Sequence, residues 1–540
     1  MRQAVVVIHG MGEQRPMSFL RGLLGAAIGK SIVDETKYHS HPDKMSRSYE
    51  LRRLLVEEDG ERPQTEFYEY YWAHYMKANT LGDLTPRVKR LMFRLPWTVP
   101  GSMRLLWLIL WAVAAFAAFA AYTWGSEVLF EDPNTLIKGI NAGWLAAGAA
   151  LTVGAVKGLL ISHFADVTRY VNPAPRNVEI RQKIRSGAVD LLRELHKSGK
   201  YDRIVLLCHS LGSFVGLDAL RELWHEVHQC HSGTTPATQE ALEKLEGIGE
   251  DLKQETGNTM ALRKEYREAQ RALWQEQRAG GSPWLITDFV TAGSPLIGST
   301  FLLAKNETEL KAMQTARELP TCPPVLEVSR AGRKGYAFRW PSDSPLLLHQ
   351  GATFAPVRWT NTWYPSRFGV FGDWFGGPLA PLYGRGIEDL PATKGKWTRF
   401  IPVVGHVRYF KWSDRTGLGT SIAAIRSGLA LENSGVVDNQ DNEIGTNTWL
   451  AAVNANASDT DWSPVSCANW QVPAPRKAKH PAGSGELYRR DDNKWAFRIK
   501  ASNGQIVATD GGQGYESKSD AFATLEKMMG GGYDGTIEEV

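Results

Sequence analysis

Cysteine is scarce in this chain of 540 residues, and neither sign of charge dominates. The four cysteines (Cys208, Cys230, Cys322 and Cys467) are widely scattered, so they form no disulfide framework and no metal-ligand spacing, which favours a reducing compartment. The 62 basic and 58 acidic residues leave a net charge of +4 and give no reason to expect a nucleic-acid partner. No motif indicates a cofactor. Because the N-terminus is already a predicted core strand, we expect no cleavable signal peptide.

Long hydrophobic runs are the local exception in a composition that is ordinary for a globular protein, with 43% hydrophobic and 22% charged residues. Residues 105–126 form a charge-free stretch of 22 residues, and residues 139–156 form a second one of 18. A membrane-spanning helix needs about 20 apolar residues. The sequence therefore predicts a transmembrane helical hairpin over residues 105–156. A buried pair of core helices and a re-entrant or interfacial hairpin are the alternatives.

The charges around this hairpin predict its orientation. Basic residues flank it on both sides, whereas the connecting loop carries Glu127, Glu131 and Asp132 against Lys138. The positive-inside rule places the more basic side in the cytoplasm. We therefore expect a membrane protein with two spans and both termini cytoplasmic, on the cytoplasmic face of the inner membrane in a bacterium.

The strongest chemical signal is the run C-H-S-L-G at residues 208–212. An apolar strand at 204–207 precedes it, and a helical pattern rich in small residues follows it. This pattern predicts a strand, a sharp turn and a helix with Ser210 at the tip, the arrangement that exposes a serine nucleophile in G-x-S-x-G motifs. Gly212 keeps the second small position of that motif, whereas Cys208 replaces its first glycine.

Three further segments have the pattern of a strand, and the first two end in a loop or turn. An apolar strand at residues 4–8 ends in the loop H-G-M-G, a strand at 287–291 leads into A-G-S-P-L, and a fourth strand with the pattern W-x-N begins at residue 357. Acid and histidine candidates follow the serine in the order Ser, Asp, His.

Together these motifs resemble the lipase and esterase branch of the α/β-hydrolase superfamily, over roughly residues 1–15 and 175–415. The resemblance implies an α/β fold with a mostly parallel sheet and helices on both faces. It also implies hydrolysis through a serine triad, with no cofactor and no metal.

The triad is assigned on this pattern. Ser210 is the expected nucleophile, and His406, in a turn late in the hydrolase-like region, is the expected base. The neighbouring His209 is not chosen as the base. The backbone N–H groups of Met11 and Leu211 are expected to form the oxyanion hole.

The catalytic acid is the least determined residue. In the resembled branch an aspartate follows the W-x-N strand within a few residues, and here Asp373 restores that pattern after a short insertion. Asp389 is the runner-up, followed by Glu388.

The expected domain organisation is discontinuous. Residues 1–104 and 157–415 form the hydrolase-like domain, and residues 236–279 form a helical insertion that either caps the site or serves self-association. Residues 416–482, rich in Gly, Asn and Ser, are expected to be an irregular segment and linker. Residues 484–530 form a small β-hairpin–helix domain.

The small domain has its own signature. The patterns W-x-F-R-x-K-A-x-N-G-x-I and G-Y-x-S-K are similar to the YegP-like family. That family implies no firm activity, so this domain adds a possible site of self-association or partner binding.

The functional expectation is a membrane-associated serine hydrolase that cleaves a carboxylic ester, preferably a lipid or another acylated amphiphile, through an acyl-enzyme. A thioesterase or peptidase on the same triad is one alternative, and a catalytically inactive scaffold for protein–protein interaction is another. His225 and His228 have a helical i, i+3 spacing, but no motif completes a metal site.

Overall fold

The computed structural model forms two compact units, Met1–Trp470 and Gln471–Val540. It describes residues 2–10, 15–28, 38–46, 50–58, 63–76, 88–100, 103–129, 166–230, 239–255, 259–328, 332–338, 346–365, 372–394, 405–410, 420–429, 431, 484–501, 504–529 and 537–539.

The first unit alternates strands and helices along most of its length. Its strands are β1 (Arg2–Ile8), β2 (Tyr38–Pro42), β3 (Arg52–Val56), β4 (Gln64–Tyr70), β5 (Arg203–His209), β6 (Ile286–Ala292), β7 (Glu327–Val328), β8 (Lys334–Gly335), β9 (Ala337–Phe338), β10 (Leu347–Leu348), β11 (Arg358–Trp363) and β12 (Glu388–Pro391). Its helices are α1 (Ser18–Ala27), α2 (Arg104–Leu129), α3 (Pro175–Lys197), α4 (Gly212–Val227), α5 (Glu240–Gln254), α6 (Met260–Ala279), α7 (Ser299–Leu302), α8 (Glu307–Thr315), α9 (Ala380–Tyr383) and α10 (Ser421–Leu429).

An eight-stranded mixed sheet with the order β12-β11-β6-β5-β1-β4-β3-β2 organises this unit. The strands from β12 to β4 are parallel, whereas β3 and β2 pair antiparallel at one edge. The prediction of a mostly parallel, α/β-hydrolase-type sheet is thus corrected to a mixed sheet. The edge pair gave no sequence signal because β2, largely exposed, needs no continuous apolar run.

Helices cover both faces of the sheet. α1 and α10 pack on one face, where Leu20, Leu23 and Ile425 join the same buried cluster as Val7 and Leu207. α4 lies on the other face and contacts β5 and β1. Because both faces are covered, β5 and β6 are buried at every residue, as parallel central strands require. The carboxyl ends of β1, β5, β6 and β11 meet at one edge.

Helix α10 corrects the predicted end of this domain. Residues 416–482 were expected to be irregular, but Ser421–Leu429 form a helix with Ile422, Ile425 and Leu429 buried. A side chain at Gly428 would lie 2.7 Å from Val290, so this glycine lets α10 pack directly on β6. Because the helix is short and lies between polar segments, its apolar periodicity gives only a weak signal in the sequence. Residues 432–483 lie outside the described residues.

The predicted transmembrane hairpin is wrong. Within the described part of the chain, no helix combines the length and the apolarity that crossing a bilayer requires. The second run, residues 139–156, lies outside the described residues. The two-span topology and the membrane localisation depended on this hairpin, so both predictions are wrong as well.

Contacts of α2 explain part of the first run. Leu106 and Leu110 are buried, and the indole N–H groups of Trp107 and Trp111 both donate to the main-chain oxygen of Met92 at 2.9 Å. The first turns of this helix therefore pack against the preceding segment of the same unit. Hydropathy alone does not distinguish such an internal surface from a lipid-facing one.

The predicted helical insertion at residues 236–279 contains α5 and α6, which pack on each other. Leu245 of α5 and Tyr266 of α6 are fully buried. Arg267 of α6 forms an ion pair with Glu388 of β12 at 3.0 Å, which ties this helix to the edge of the sheet. These helices are packed parts of the first unit, and their use in self-association stays a prediction.

In its described residues, the second unit has a four-stranded sheet and one helix. Its elements are β13 (Ser484–Arg489), β14 (Trp495–Lys500), β15 (Ile506–Thr509), α11 (Lys518–Met529) and β16 (Ile537–Glu539), and the sheet order is β15-β14-β13-β16. Leu487, Phe497 and Leu525 centre its own small core. The unit extends beyond the predicted end at residue 530, because β16 pairs in parallel with β13.

Truncation after Ala482 should leave the first unit folded, since each unit has its own buried cluster. The thermal unfolding midpoint of the shortened chain, followed by circular dichroism, should match the first-unit transition of the full chain. Loss of a cooperative transition in the shortened chain would show that the two units share a core.

Candidate active site

Ser210 lies in a sharp turn between β5 and α4. Its φ of 52° is in the left-handed region, which is uncommon for any residue other than glycine. The turn is tight because α4 starts against the end of β1, where a side chain at Gly212 would lie 2.3 Å from the main-chain oxygen of Ile8. On the other side, a side chain at Gly10 would lie 2.8 Å from the Cβ of Ser210. Two glycines therefore make room for this serine.

Cys208 occupies the place of the first glycine in the common motif, and the structure shows what accommodates it. A side chain at Gly216 would lie 2.3 Å from the Cys208 Sγ, so the space for the thiol comes from the facing turn of α4. Burial raises the pKa of this thiol well above its ordinary value, which keeps Cys208 neutral. Sequence analysis missed Gly216, because only the packing of α4 on β5 relates the two residues.

Three side chains distant in sequence form one hydrogen-bond chain. His406 Nε2 lies 2.7 Å from the Ser210 Oγ, and His406 Nδ1 lies 3.0 Å from both carboxylate oxygens of Asp373. A carboxylate only accepts, so Nδ1 carries the proton and Nε2 accepts from the serine hydroxyl. All three residues are buried. This geometry lets His406 take a proton from Ser210 while Asp373 holds the imidazole in the required tautomer.

Asp373 is surrounded by donors. The Tyr409 hydroxyl donates to its Oδ2 at 2.7 Å, and the Phe375 main-chain N–H donates to its Oδ1 at 2.8 Å. Burial alone would raise the pKa of this carboxyl, but the neighbouring His406 and these hydrogen bonds outweigh burial and lower the pKa below its ordinary value. Gly376 allows the main chain to pass close to this carboxylate, since a side chain at this position would lie 2.8 Å from the Asp373 Oδ2.

His209 has a positioning contact that sequence analysis missed. Its Nε2–H donates to the main-chain oxygen of His406 at 2.9 Å, and this bond fixes the segment that carries His406. Burial, together with the nearby His406, lowers the pKa of His209 to about 3. His209 is therefore a neutral donor at physiological pH and is not placed to act on Ser210 as a base.

His9 anchors the loop after β1. Its ring stacks on Trp72, its Nδ1–H donates to the Gly10 oxygen at 2.7 Å, and its main-chain oxygen accepts from the Trp72 indole at 3.1 Å. Burial lowers the pKa of His9 to about 4, so it too is neutral. Met11, the expected second oxyanion donor, lies outside the described residues.

Leu211, the other expected oxyanion donor, follows the serine directly and precedes the first turn of α4. Its N–H has no acceptor within the part of the chain that the structure describes. The positive end of the α4 dipole adds to the potential at this point. Leu211 N–H is thus available to an oxygen that develops negative charge next to Ser210.

The alternative acids, Asp389 and Glu388, do not reach His406. Asp389 accepts from the Asn361 side chain at 2.7 Å and from the main-chain N–H groups of Leu379 and Ala380, at the start of α9. Burial raises its pKa above the ordinary value despite these bonds. Glu388 pairs with Arg267 of α6. Both carboxylates therefore have structural partners away from the hydrogen-bond chain.

Comparison with known proteins identifies the second unit. Residues 491–539 match a family described as a domain of unknown function, DUF1508. The UPF0339 protein of Treponema denticola is 37% identical over 59 residues, which cover 98% of that protein and 11% of this chain. Through this C-terminal module the chain belongs to that family, and the predicted YegP-like resemblance is confirmed. No solved structure matches the chain significantly.

Glu69 of β4 contacts Met17, the residue that precedes α1. Its Oε2 accepts from the main-chain N–H of Met17 at 2.6 Å, while its Oε1 is buried with no partner among the described residues. Burial raises the pKa of Glu69 from 4.5 to about 7.

Glu69→Gln should remove a pH-dependent loss of stability. The folded protein holds this proton more tightly than the unfolded chain, so the free energy of unfolding should fall as pH rises from 4.5 through about 7. The fall should amount to roughly 3 kcal/mol. Urea unfolding should give the variant a higher free energy of unfolding than the wild type at about pH 8, but not at about pH 5. A difference between the two proteins that does not change with pH would contradict this role of Glu69.

Proposed function

We propose that the first unit is a serine hydrolase that cleaves a carboxylic ester through an acyl-enzyme. The observation that carries the proposal is the buried hydrogen-bond chain from Ser210 through His406 to Asp373. The left-handed turn at Ser210 and the chain order Ser, Asp, His also support it.

In the first half of the reaction, the Ser210 Oγ attacks the ester carbonyl while its proton moves to His406 Nε2. Asp373 stabilises the resulting imidazolium. The carbonyl oxygen becomes negative and accepts from the Leu211 N–H. The intermediate then collapses, the C–O bond to the alcohol breaks, and His406 returns the proton to the leaving oxygen.

In the second half, water replaces the alcohol. His406 takes a proton from the water, the hydroxide adds to the acyl carbon, and the bond to the Ser210 Oγ breaks as the serine regains a proton. The products are an alcohol and a carboxylic acid. A thioester or amide would follow the same steps with a different leaving atom.

Two sequence features favoured a non-catalytic scaffold, the uncertain acid and Cys208. Asp373 now has a position beside His406, and Gly216 provides the space for Cys208. Neither feature therefore speaks for the scaffold. The preference for a lipid substrate depended on the transmembrane hairpin and is not retained.

The nucleophile can be tested with a fluorophosphonate, which labels activated serines covalently. The wild type should be labelled on Ser210, and Ser210→Ala should not react. Ser213→Ala, three residues further along the same turn and helix, is the matched control and should label normally. His406→Ala should lower turnover by several orders of magnitude, since triad members act as a unit. A wild type without labelling, or a labelled Ser210→Ala variant, would remove the proposed function.

The acid can be tested with an isosteric pair. Asp373→Asn should lower kcat by about 10³- to 10⁴-fold, because an amide cannot hold the required imidazole tautomer. Asp389→Asn should leave kcat within a few-fold and lower the thermal midpoint instead, because Asp389 holds the start of α9. Measuring kcat and the thermal midpoint of both purified variants tests which aspartate is the triad acid. The reverse ranking of kcat would assign this role to Asp389.

A further inference from the structure

The Tyr409 hydroxyl adds a further member to the hydrogen-bond chain of the candidate site. It donates to the Asp373 Oδ2 at 2.7 Å, whereas the Phe375 N–H donates to the Oδ1. Both oxygens also lie 3.0 Å from the His406 Nδ1. Within the described chain, His406 and Tyr409 are thus the side chains that bond this carboxylate.

A second bond fixes the direction of the Tyr409 hydroxyl. Its oxygen accepts from the main-chain N–H of Tyr364 at 3.0 Å, and its single proton is directed to Asp373. Burial and the charge of Asp373 raise the pKa of Tyr409 well above its ordinary value, so the hydroxyl keeps this proton. Tyr409 is therefore a donor to the acid at every physiological pH.

The ring of Tyr409 is held from two sides. Tyr409 is fully buried, and its ring stacks on that of Tyr364 with 4.5 Å between the centroids. The Ser421 Oγ donates to the main-chain oxygen of Tyr409 at 3.1 Å and lies 2.8 Å from the Tyr364 hydroxyl. The first residue of α10 therefore holds both tyrosines in place.

The turn after β6 leaves room for Tyr409 and Asp373 to meet. Gly293 in this turn has a φ of 57°, in the left-handed region. A side chain there would lie 2.7 Å from a ring carbon of Tyr409 and 3.0 Å from the Asp373 Oδ2. The contact between the tyrosine and the carboxylate thus depends on a glycine at this position.

We propose that Tyr409 is a positioning residue of the triad, which aims Asp373 at His406 and takes up part of the carboxylate charge. The inference rests on the proposed function, because it concerns the same site. A donor to the carboxylate disperses its negative charge, so the imidazolium of His406 is stabilised less and the neutral base persists to lower pH. The same bond keeps the carboxylate from turning away from the His406 Nδ1.

The other titratable groups against this pair stay neutral near neutral pH. His209 of β5 lies beside His406, with 5.2 Å between the ring centroids, and burial lowers the pKa of His209 to about 3. Tyr364 contacts Tyr409, and a phenol is neutral over the same range. Within the described part of the site, the acid limb of a pH profile therefore reports on His406.

The test compares Tyr409→Phe with Tyr383→Phe in the full chain, with p-nitrophenyl acetate as the ester. In Tyr409→Phe the acid limb of kcat/KM should move to higher pH by about half a unit or more, and kcat should fall about tenfold. Tyr383→Phe is the matched control, because Tyr383 is also fully buried and its hydroxyl bonds Ser299. Both variants lose a buried hydroxyl and should lose stability, but Tyr383→Phe should keep the acid limb and kcat of the wild type.

A second measurement needs no turnover. The full chain is labelled with histidine that carries nitrogen-15 in its ring, and the His406 signals are identified by their loss in His406→Ala. These signals should titrate at a higher pH in Tyr409→Phe than in the wild type. Site-specific replacement of Tyr409 by 3-fluorotyrosine, a stronger donor of nearly the same size, should move the titration to lower pH. This replacement keeps the test valid even if Tyr409→Phe fails to fold.

Three results would each overturn the proposal: a folded Tyr409→Phe variant in which His406 titrates as in the wild type, a fluorotyrosine protein without the downward shift, or the same upward shift in Tyr383→Phe. A failure of the proposed function would look different. The His406 signals would then shift as expected, while the wild type neither hydrolysed the ester nor reacted with a fluorophosphonate.

Discussion

The candidate site depends on how closely β5 and α4 can approach the end of β1. An ordinary residue at Gly212 would collide with the main-chain oxygens of Ile8 and His9, and no rearrangement of a flexible side chain could relieve that collision. If α4 moved outward, Ser210 would move with it, away from His406. The glycines at the turn are therefore requirements of the site geometry, and the left-handed backbone of Ser210 follows from the same tight turn.

The hydrogen bonds around His406 offset the cost of that turn. A residue held in a left-handed conformation costs about 1–3 kcal/mol. Each hydrogen bond to the Asp373 carboxylate contributes about 1.5–3 kcal/mol, and this group accepts from His406, Tyr409 and Phe375. His209 adds a bond to the main chain of His406 itself. Since these polar groups are buried and paired, the network holds one arrangement rather than an ensemble.

Short sequence patterns predicted those parts of the site that depend on residues close together in the chain. The apolar strand before Ser210 predicted the turn, and the chain order suggested Asp373 and His406, whose side chains the structure brings to the serine. Contacts between different helices and strands give no comparable signal in the sequence. Nothing in the sequence relates Gly216 to the thiol opposite it, or the ring of His209 to a carbonyl 197 residues away. Hydropathy failed for a related reason, because a helix that packs its first turns on its own chain and a helix that faces lipid can have the same composition.

The two candidate acids show how the partners of a carboxylate decide its chemistry. Asp373 is fully buried and Asp389 is half-buried, and burial by itself would raise the pKa of each. At Asp373 the adjacent imidazole reverses that effect and lowers the pKa, so its carboxylate stays ionised and can stabilise a positive charge on His406. At Asp389 the partners are neutral amides, which do not fully compensate, and the pKa stays raised. Position along the chain made both residues plausible acids, whereas the charge of the immediate partner separates a group suited to catalysis from one that holds the start of a helix.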